Sequence, residues 1–141
     1  MRTWVVDASV MLKWVVSERN EPEQDKAWSL LTAWRHGRIE LAAPTLWQYE
    51  VGNFLGRRLP EEAREKFALL LNLGIRRVDL TEEMGRRCFA WMREKGVTFY
   101  DAAYLTAAVE TQGILITADE KFVKKMDGLG NLCLLANLEL D

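Results

Sequence analysis

Short apolar runs alternate with stretches of helical periodicity along the whole chain, and this alternation restricts the fold more than any other feature. Thr3 to Asp7, Ile39 to Ala43, Ile75 to Leu80, Ile114 to Thr117 and Leu132 to Ala136 are rich in Val, Ile and Leu and read as buried strands. Helical signals fill the intervals. Val10 to Val16 follows a tight turn at Asp7-Ala8-Ser9, and Ala27, Leu30, Leu31 and Trp34 recur at helical spacing within Glu23 to His36, with Gly37 as C-cap. Pro44 breaks the second strand, and Thr45-x-x-Gln48 predicts a capping box for a helix from Leu46 to Arg58. Pro60 begins a helix that Gly74 stops, its first turn carrying Glu61 and Glu62. Thr81 N-caps a helix reaching Lys95 and ending at Gly96, Thr98-x-x-Asp101 opens an alanine-rich helix closed by Gly113, and a last helix covers Glu120 to Met126. Strands separated by helices imply a parallel sheet covered on both faces, with right-handed crossovers.

In such sheets ligands bind beyond the carboxyl ends of the strands. Asp7 and Asp119 lie just past two of those ends. Glu50 and Asp101 sit near the starts of helices, and most of these acids have neighbours that otherwise read as core: Val5-Val6-Asp7, Trp47-Gln48-Tyr49-Glu50-Val51, Tyr100-Asp101-Ala102-Ala103 and Ile116-Thr117-Ala118-Asp119. Each acid also has a plainer explanation. Asp101 fits a capping box with Thr98, Asp119 fits an N-cap, and Glu50 fits a helix surface stripe. Asp7, directly after Trp4-Val5-Val6, has the weakest such alternative. A shared divalent cation explains the four together, since oxygen ligands around a hard ion offset a repulsion that bare carboxylates would have to sustain.

Other chemistries lack their parts. No phosphate-binding loop of the Gly-x-x-x-x-Gly-Lys-Ser/Thr type and no Gly-x-Gly-x-x-Gly is present. The single histidine, His36, stands at a helix end, which leaves little material for a histidine triad or zinc site. An aspartyl-phosphate phosphatase would need a second acid two residues after Asp7, where Ser9 stands instead. Cys88 and Cys133 follow no metal or disulfide spacing and are expected to be buried thiols. With 141 residues, no repeat and no linker, the chain reads as one domain, residues 1–141. Its first apolar stretch is too short for a signal sequence and no segment is long enough to span a membrane, so a cytoplasmic location is expected. The formal charge of -2 argues against coating nucleic acid by bulk electrostatics and leaves binding to local pairs such as Arg57-Arg58, Arg76-Arg77 and Arg86-Arg87. The aromatic residues Trp14, Trp28, Trp34, Trp47 and Tyr49 fall in helical patterns and are assigned to packing or a dimer surface ahead of base stacking.

Four segments in order, Val5-Val6-Asp7-Ala8-Ser9-Val10-Met11-Leu12-Lys13-Trp14, Pro44 to Asn53, Tyr100-Asp101-Ala102-Ala103-Tyr104 and Thr117-Ala118-Asp119-Glu120-Lys121-Phe122, resemble the ordered signatures of PIN-domain proteins, specifically the VapC-type toxin ribonucleases. The resemblance runs from Arg2 to about Leu135. It implies a three-layer α/β/α sandwich around a parallel sheet, a Mg²⁺- or Mn²⁺-dependent endoribonuclease using one or two ions, a homodimer, and a cognate VapB-like antitoxin. It places the acidic quartet on Asp7, Glu50, Asp101 and Asp119, as catalytic and metal-holding residues, with Ser9, Asn53 and Thr117 in support. In-line attack by a metal-activated water would leave 5′-phosphate and 3′-hydroxyl ends. Asp7 and Asp101 are expected as principal ligands, Asp119 as a ligand direct or through water, and Glu50 as ligand or proton acceptor. Two other readings share these residues: a PIN-fold interaction module with little catalysis, against which an intact quartet speaks, and a nuclease acting on DNA, for whose helical arches the chain has no room.

Overall fold

The structure is a computed structural model that describes residues 1–16 and 21–140. Strand β1 (Thr3–Val6) lies in the centre of a five-stranded sheet and is buried along its whole length. After helices α1 (Ala8–Val15) and α2 (Gln24–Arg35), the chain adds β2 (Glu40–Ala43) to one side of β1. Helices α3 (Leu46–Arg58) and α4 (Ala63–Leu71) lead to β3 (Arg76–Arg77) at that edge. Helices α5 (Glu82–Lys95) and α6 (Phe99–Glu110) then return it to the other side of β1, where β4 (Ile114–Thr117) is followed by α7 (Glu120–Lys125) and edge strand β5 (Leu132–Leu134). The order is β3-β2-β1-β4-β5 and every pairing is parallel. The direction of sheet growth therefore reverses between β1 and β4. At such a reversal the segments leaving neighbouring strands diverge and open a crevice at their carboxyl ends.

Helices flank the sheet as two packed groups. Helix α1 meets α2 and α3, and α3 meets α4; α5 packs on α6, which lies against β1 and β4. Ala102 to Ala108 of α6 are buried without interruption, because a helix of mostly small residues wedged against a sheet has little face left for water. The one hydroxyl in that run on a small side chain, Thr106, accepts a 2.8 Å hydrogen bond from the Arg87 guanidinium of α5. Val5, Val6, Leu41, Ala42, Leu115 and Ile116 from the three inner strands form the centre of the core.

The expected α/β architecture, the parallel sheet and every helix are present, with differences at the ends. The third strand, expected over Ile75 to Leu80, contracts to Arg76–Arg77, although the Val78 amide still donates to the Ala43 carbonyl at 3.0 Å. A short, charged strand suits an edge that must not recruit another chain. Leu135–Asn137 turns into a 3₁₀-helix where the last strand was expected to continue. The Thr45 box does not form: Thr45 already has helical backbone angles and its side chain caps nothing. Likewise the fourth helix starts at Ala63, after a turn at Pro60 to Glu62. At the end of α6 the left-handed residue is Gln112 (φ 55°), and Gly113 is required for space, since a Cβ there would stand 2.3 Å from the Thr3 carbonyl oxygen. Thr81, Thr98 and Gly96 cap as expected, Gly96 with φ 68°. Cys88 is buried as expected, whereas Cys133, on the edge strand β5, is only half-buried; both are free thiols.

Candidate active site

Asp7 is the first residue past β1 and N-caps α1. Its Oδ1 accepts from the Val10 amide at 3.1 Å and from the Ser9 hydroxyl at 2.6 Å, and its Oδ2 accepts from the Thr117 hydroxyl at 2.5 Å. Thr117 closes β4, the strand beside β1, so this last bond spans the reversal point of the sheet. Ser9 and Thr117 each join two segments. The Ser9 oxygen also accepts from the Ala118 amide, and the Thr117 oxygen from the Asp119 amide, both at 3.1 Å. Asp119 in turn N-caps α7 by accepting from Phe122 at 3.1 Å. Capping and membership of an acidic cluster are thus compatible for Asp7 and Asp119: one oxygen holds a helix end and the rest of the carboxylate remains for other use.

Glu50 lies one turn into α3 and Asp101 in the first turn of α6, whose Thr98 cap receives the Asp101 amide at 3.1 Å. The Tyr104 hydroxyl donates to Glu50 Oε1 at 2.5 Å and so ties α6 to α3 beneath the acids. Tyr104 is buried. Sequence reading assigned it no role, yet it stands three residues after Asp101 on the same helical face, a spacing that could have pointed to it.

Electrostatics links the four acids in a row. Loss of hydration on burial pushes the Asp7 carboxyl up to about 6 from its ordinary 3.8; hydrogen bonds from Ser9, Thr117 and Val10 pull it down, and the Glu50 charge adds to the rise. Glu50 is raised by burial and by the Asp101 charge, against the lowering effect of Tyr104. Asp101 is raised by burial and then by the Asp119 charge, with Thr98 and Lys125 acting the other way. Burial, then Glu50 and Asp7, raise the Tyr104 phenol, which keeps it a donor. Each acid is therefore close enough to the next to feel its charge, and the sequence-predicted quartet converges at the carboxyl ends of β1 and β4.

Beside the acids lies a groove of about 830 Å³ between α1 and α3, walled by Ser9, Lys13, Glu50, Asn53, Arg57 and Arg58, among others. Asn53 is exposed on this wall, one turn from Glu50. The donor set suits a hard divalent cation, because its oxygens repel one another, and at Asp7, Glu50 and Asp101 burial and neighbouring charge raise the proton affinity until positive charge is supplied. It is not a closed cage: among the described residues, no three acidic, histidine or cysteine side chains are grouped so as to hold one ion.

The aromatic residues divide. Trp47 is core and packs against Phe67 with ring centroids 6.4 Å apart, while Trp14 donates its indole N–H to the Ala27 carbonyl at 2.7 Å. Trp28 and Tyr49 are exposed, and Tyr49 joins Leu80, Phe89 and Tyr100 among the exposed large apolar side chains.

Comparison with known proteins agrees with this fold. Three solved structures share the fold over nearly the full chain. A toxin–antitoxin complex from Klebsiella pneumoniae is 19% identical, with a TM-score of 0.66, over 93% of this chain and 96% of that one. VapBC2 from Rickettsia felis, bound to a promoter DNA fragment, is 13% identical with a TM-score of 0.65, over 94% and 96%. PAE2754 from Pyrobaculum aerophilum is 21% identical with a TM-score of 0.65, over 96% and 90%. No curated protein matches the chain in sequence. The family described as PIN domain matches residues 4–128, which take in all four acids and their supporting hydroxyls, and the chain belongs to that family.

Proposed function

We propose that this chain is a Mg²⁺- or Mn²⁺-dependent endoribonuclease, the toxin of a VapBC-type pair, that hydrolyses RNA phosphodiester bonds to 5′-phosphate and 3′-hydroxyl ends. The observation that carries this reading is the row of mutually coupled carboxylates, Asp7, Glu50, Asp101 and Asp119, at the sheet's reversal point in a PIN domain. A bound divalent ion would supply a nucleophilic hydroxide near neutral pH and neutralise charge on the scissile phosphate.

The chain's own residues have definable parts. Asp7 is held rigid by Ser9, Thr117 and the Val10 amide and keeps lone-pair capacity on Oδ2, which suits a principal ligand. Asp101, on the opposite helix layer, is assigned as the second ligand, and Asp119 acts directly or through water. Glu50 has a raised proton affinity and one oxygen engaged by Tyr104, properties that suit it to accept a proton from attacking water. Asn53 stands on the groove wall where it can reach a phosphate oxygen. The fold-level likeness to toxin–antitoxin complexes supports a VapB-like antitoxin, and the exposed apolar side chains around Tyr49, Leu80, Phe89 and Tyr100 are the kind of surface a homodimer or antitoxin would cover. No helix of the described residues is long and apolar enough to cross a membrane.

Purified, antitoxin-free protein incubated with RNA and with DNA of the same sequence, in Mn²⁺, Mg²⁺ or chelator, tests the reading. Metal-dependent cleavage of RNA, lost in Asp7→Asn and Asp101→Asn, is expected. Cleavage that survives chelator, or well-folded protein inactive on a broad RNA panel, overturns it.

A further inference from the structure

The groove beside the acids continues past them along α3. Glu50, Asn53 and Arg57 stand at successive helical turns on one face, and Arg58 shares the groove wall. Helical rise puts the two arginines about 10–12 Å from Glu50 along the axis. Both are exposed, and among the described residues neither forms an ion pair, whereas Arg76, Arg77, Arg86 and Arg87 are each matched with an acid. The Arg58 guanidinium lies 5.8 Å from the Phe54 ring, a contact that restrains it without neutralising it. Among the described residues the opposite wall offers no competing cation, because the Lys13 ammonium is engaged by Glu21 at 2.8 Å and by the Pro22 carbonyl at 2.6 Å. The helix dipole favours basic residues at this end of α3, but that accounts for their position on the helix and not for their facing the groove that holds Glu50.

We infer that Arg57 and Arg58 form a phosphate subsite that grips the RNA strand beyond the scissile bond, about three stacked nucleotide steps away at about 3.4 Å each. This rests on the ribonuclease reading. It also answers an electrostatic difficulty, since an anionic strand must approach an acidic cluster on a chain of net charge -2. Two guanidiniums at one end of the groove supply local attraction and fix which way the strand runs from the acids.

The test is salt-dependent binding of a labelled oligouridylate and of the dinucleotide UpU to the full chain in chelator, comparing wild type with Arg57→Gln/Arg58→Gln. Arg35→Gln/Arg93→Gln, which removes equal charge outside the groove, is the control. Because the double variant leaves two phosphates without a cationic partner, the slope of log K against log salt should flatten by about 1.4, and oligouridylate affinity should fall about tenfold. UpU binding and the control should be unchanged. The variant's KM for long RNA in Mn²⁺ should rise while kcat holds. An unaltered slope in protein that cleaves RNA normally overturns the subsite alone, as does a slope that the control flattens equally. An unaltered slope accompanied by weaker binding of a protein partner also overturns it, and assigns the groove to that partner. Failure to cleave RNA while the arginine-dependent slope persists instead sinks the nuclease reading and leaves the subsite standing.

Discussion

Asp7 should destabilise the metal-free protein at neutral pH, and Asp7→Asn should relieve that cost. The carboxyl rises from 3.8 to about 6 on folding, equivalent to about 3 kcal/mol of preference for the protonated form. The sign follows from proton counting: between about pH 4 and 6 the native state binds more protons at Asp7 than the unfolded chain does. This group's contribution therefore favours folding in acid, declines as pH rises through that window, and stays at its least favourable above about 6. Asparagine keeps the oxygen that faces Ser9 and the Val10 amide but makes Thr117 reverse its hydroxyl, a rearrangement costing about 1–2 kcal/mol. The variant should then be about 1–2 kcal/mol more stable than wild type at pH 7.5 in chelator. At pH 4.5 it should be equal or less stable. Urea unfolding of chelator-treated wild type and Asp7→Asn across pH 4.5 to 8 measures this, and subtracting the two curves removes the parallel contribution of Asp101 and leaves that of Asp7 together with its coupling to Glu50. Curves that run parallel with pH would refute a desolvated, uncompensated Asp7. Millimolar Mn²⁺ should reverse the order at neutral pH, because wild type, with the Asp7 charge intact, binds it more tightly than the variant.

Three further outcomes are expected. Tyr104→Phe removes the hydrogen bond that lowers Glu50, so the acid limb of the pH–rate profile should move to higher pH and kcat should fall about tenfold with little loss of folding, as read from kinetics beside thermal denaturation. Gly113→Ala puts a Cβ 2.3 Å from the Thr3 carbonyl oxygen and should lower stability by about 2–3 kcal/mol, whereas Gly85→Ala in α5 meets nothing within 4 Å and should be neutral or stabilising by up to about 1 kcal/mol. Thr117→Val should weaken Mn²⁺ binding about tenfold, measured calorimetrically, because the hydroxyl that orients Asp7 and receives the Asp119 amide is gone.

Strand order explains why so much of the site was legible. β1 and β4 are short apolar runs with Asp7 and Asp119 at their ends, and the parallel sheet brings those ends together. Thr81, Thr98 and Gly96 were readable because the cap is written in the same few residues it acts on. Features that depend on distant partners were not. Thr45 and Gln48 have the spacing of a capping box, but Pro44 starts the helix through its carbonyl, 3.2 Å from the Trp47 amide. Gly113 looks like a helix stop and is instead needed by the neighbouring strand. Tyr104 carries no assignment in the sequence, and in the fold it is buried with its hydroxyl spent on Glu50 from another helix. For Tyr49 the helical pattern leaves packing and a dimer surface both open, and only the folded chain shows that the side chain is exposed.

We propose that Asp7 and Asp101 are the principal ligands of an open divalent-cation site, with Asp119 acting directly or through water and Glu50 as ligand or proton acceptor. Calorimetric titration of Mn²⁺ into antitoxin-free wild type and into Asp7→Asn, Glu50→Gln, Asp101→Asn and Asp119→Asn tests it without reference to any substrate. Asp7→Asn and Asp101→Asn should each weaken binding at least about tenfold, and the other two by less. Full Mn²⁺ affinity in both aspartate variants would contradict the account.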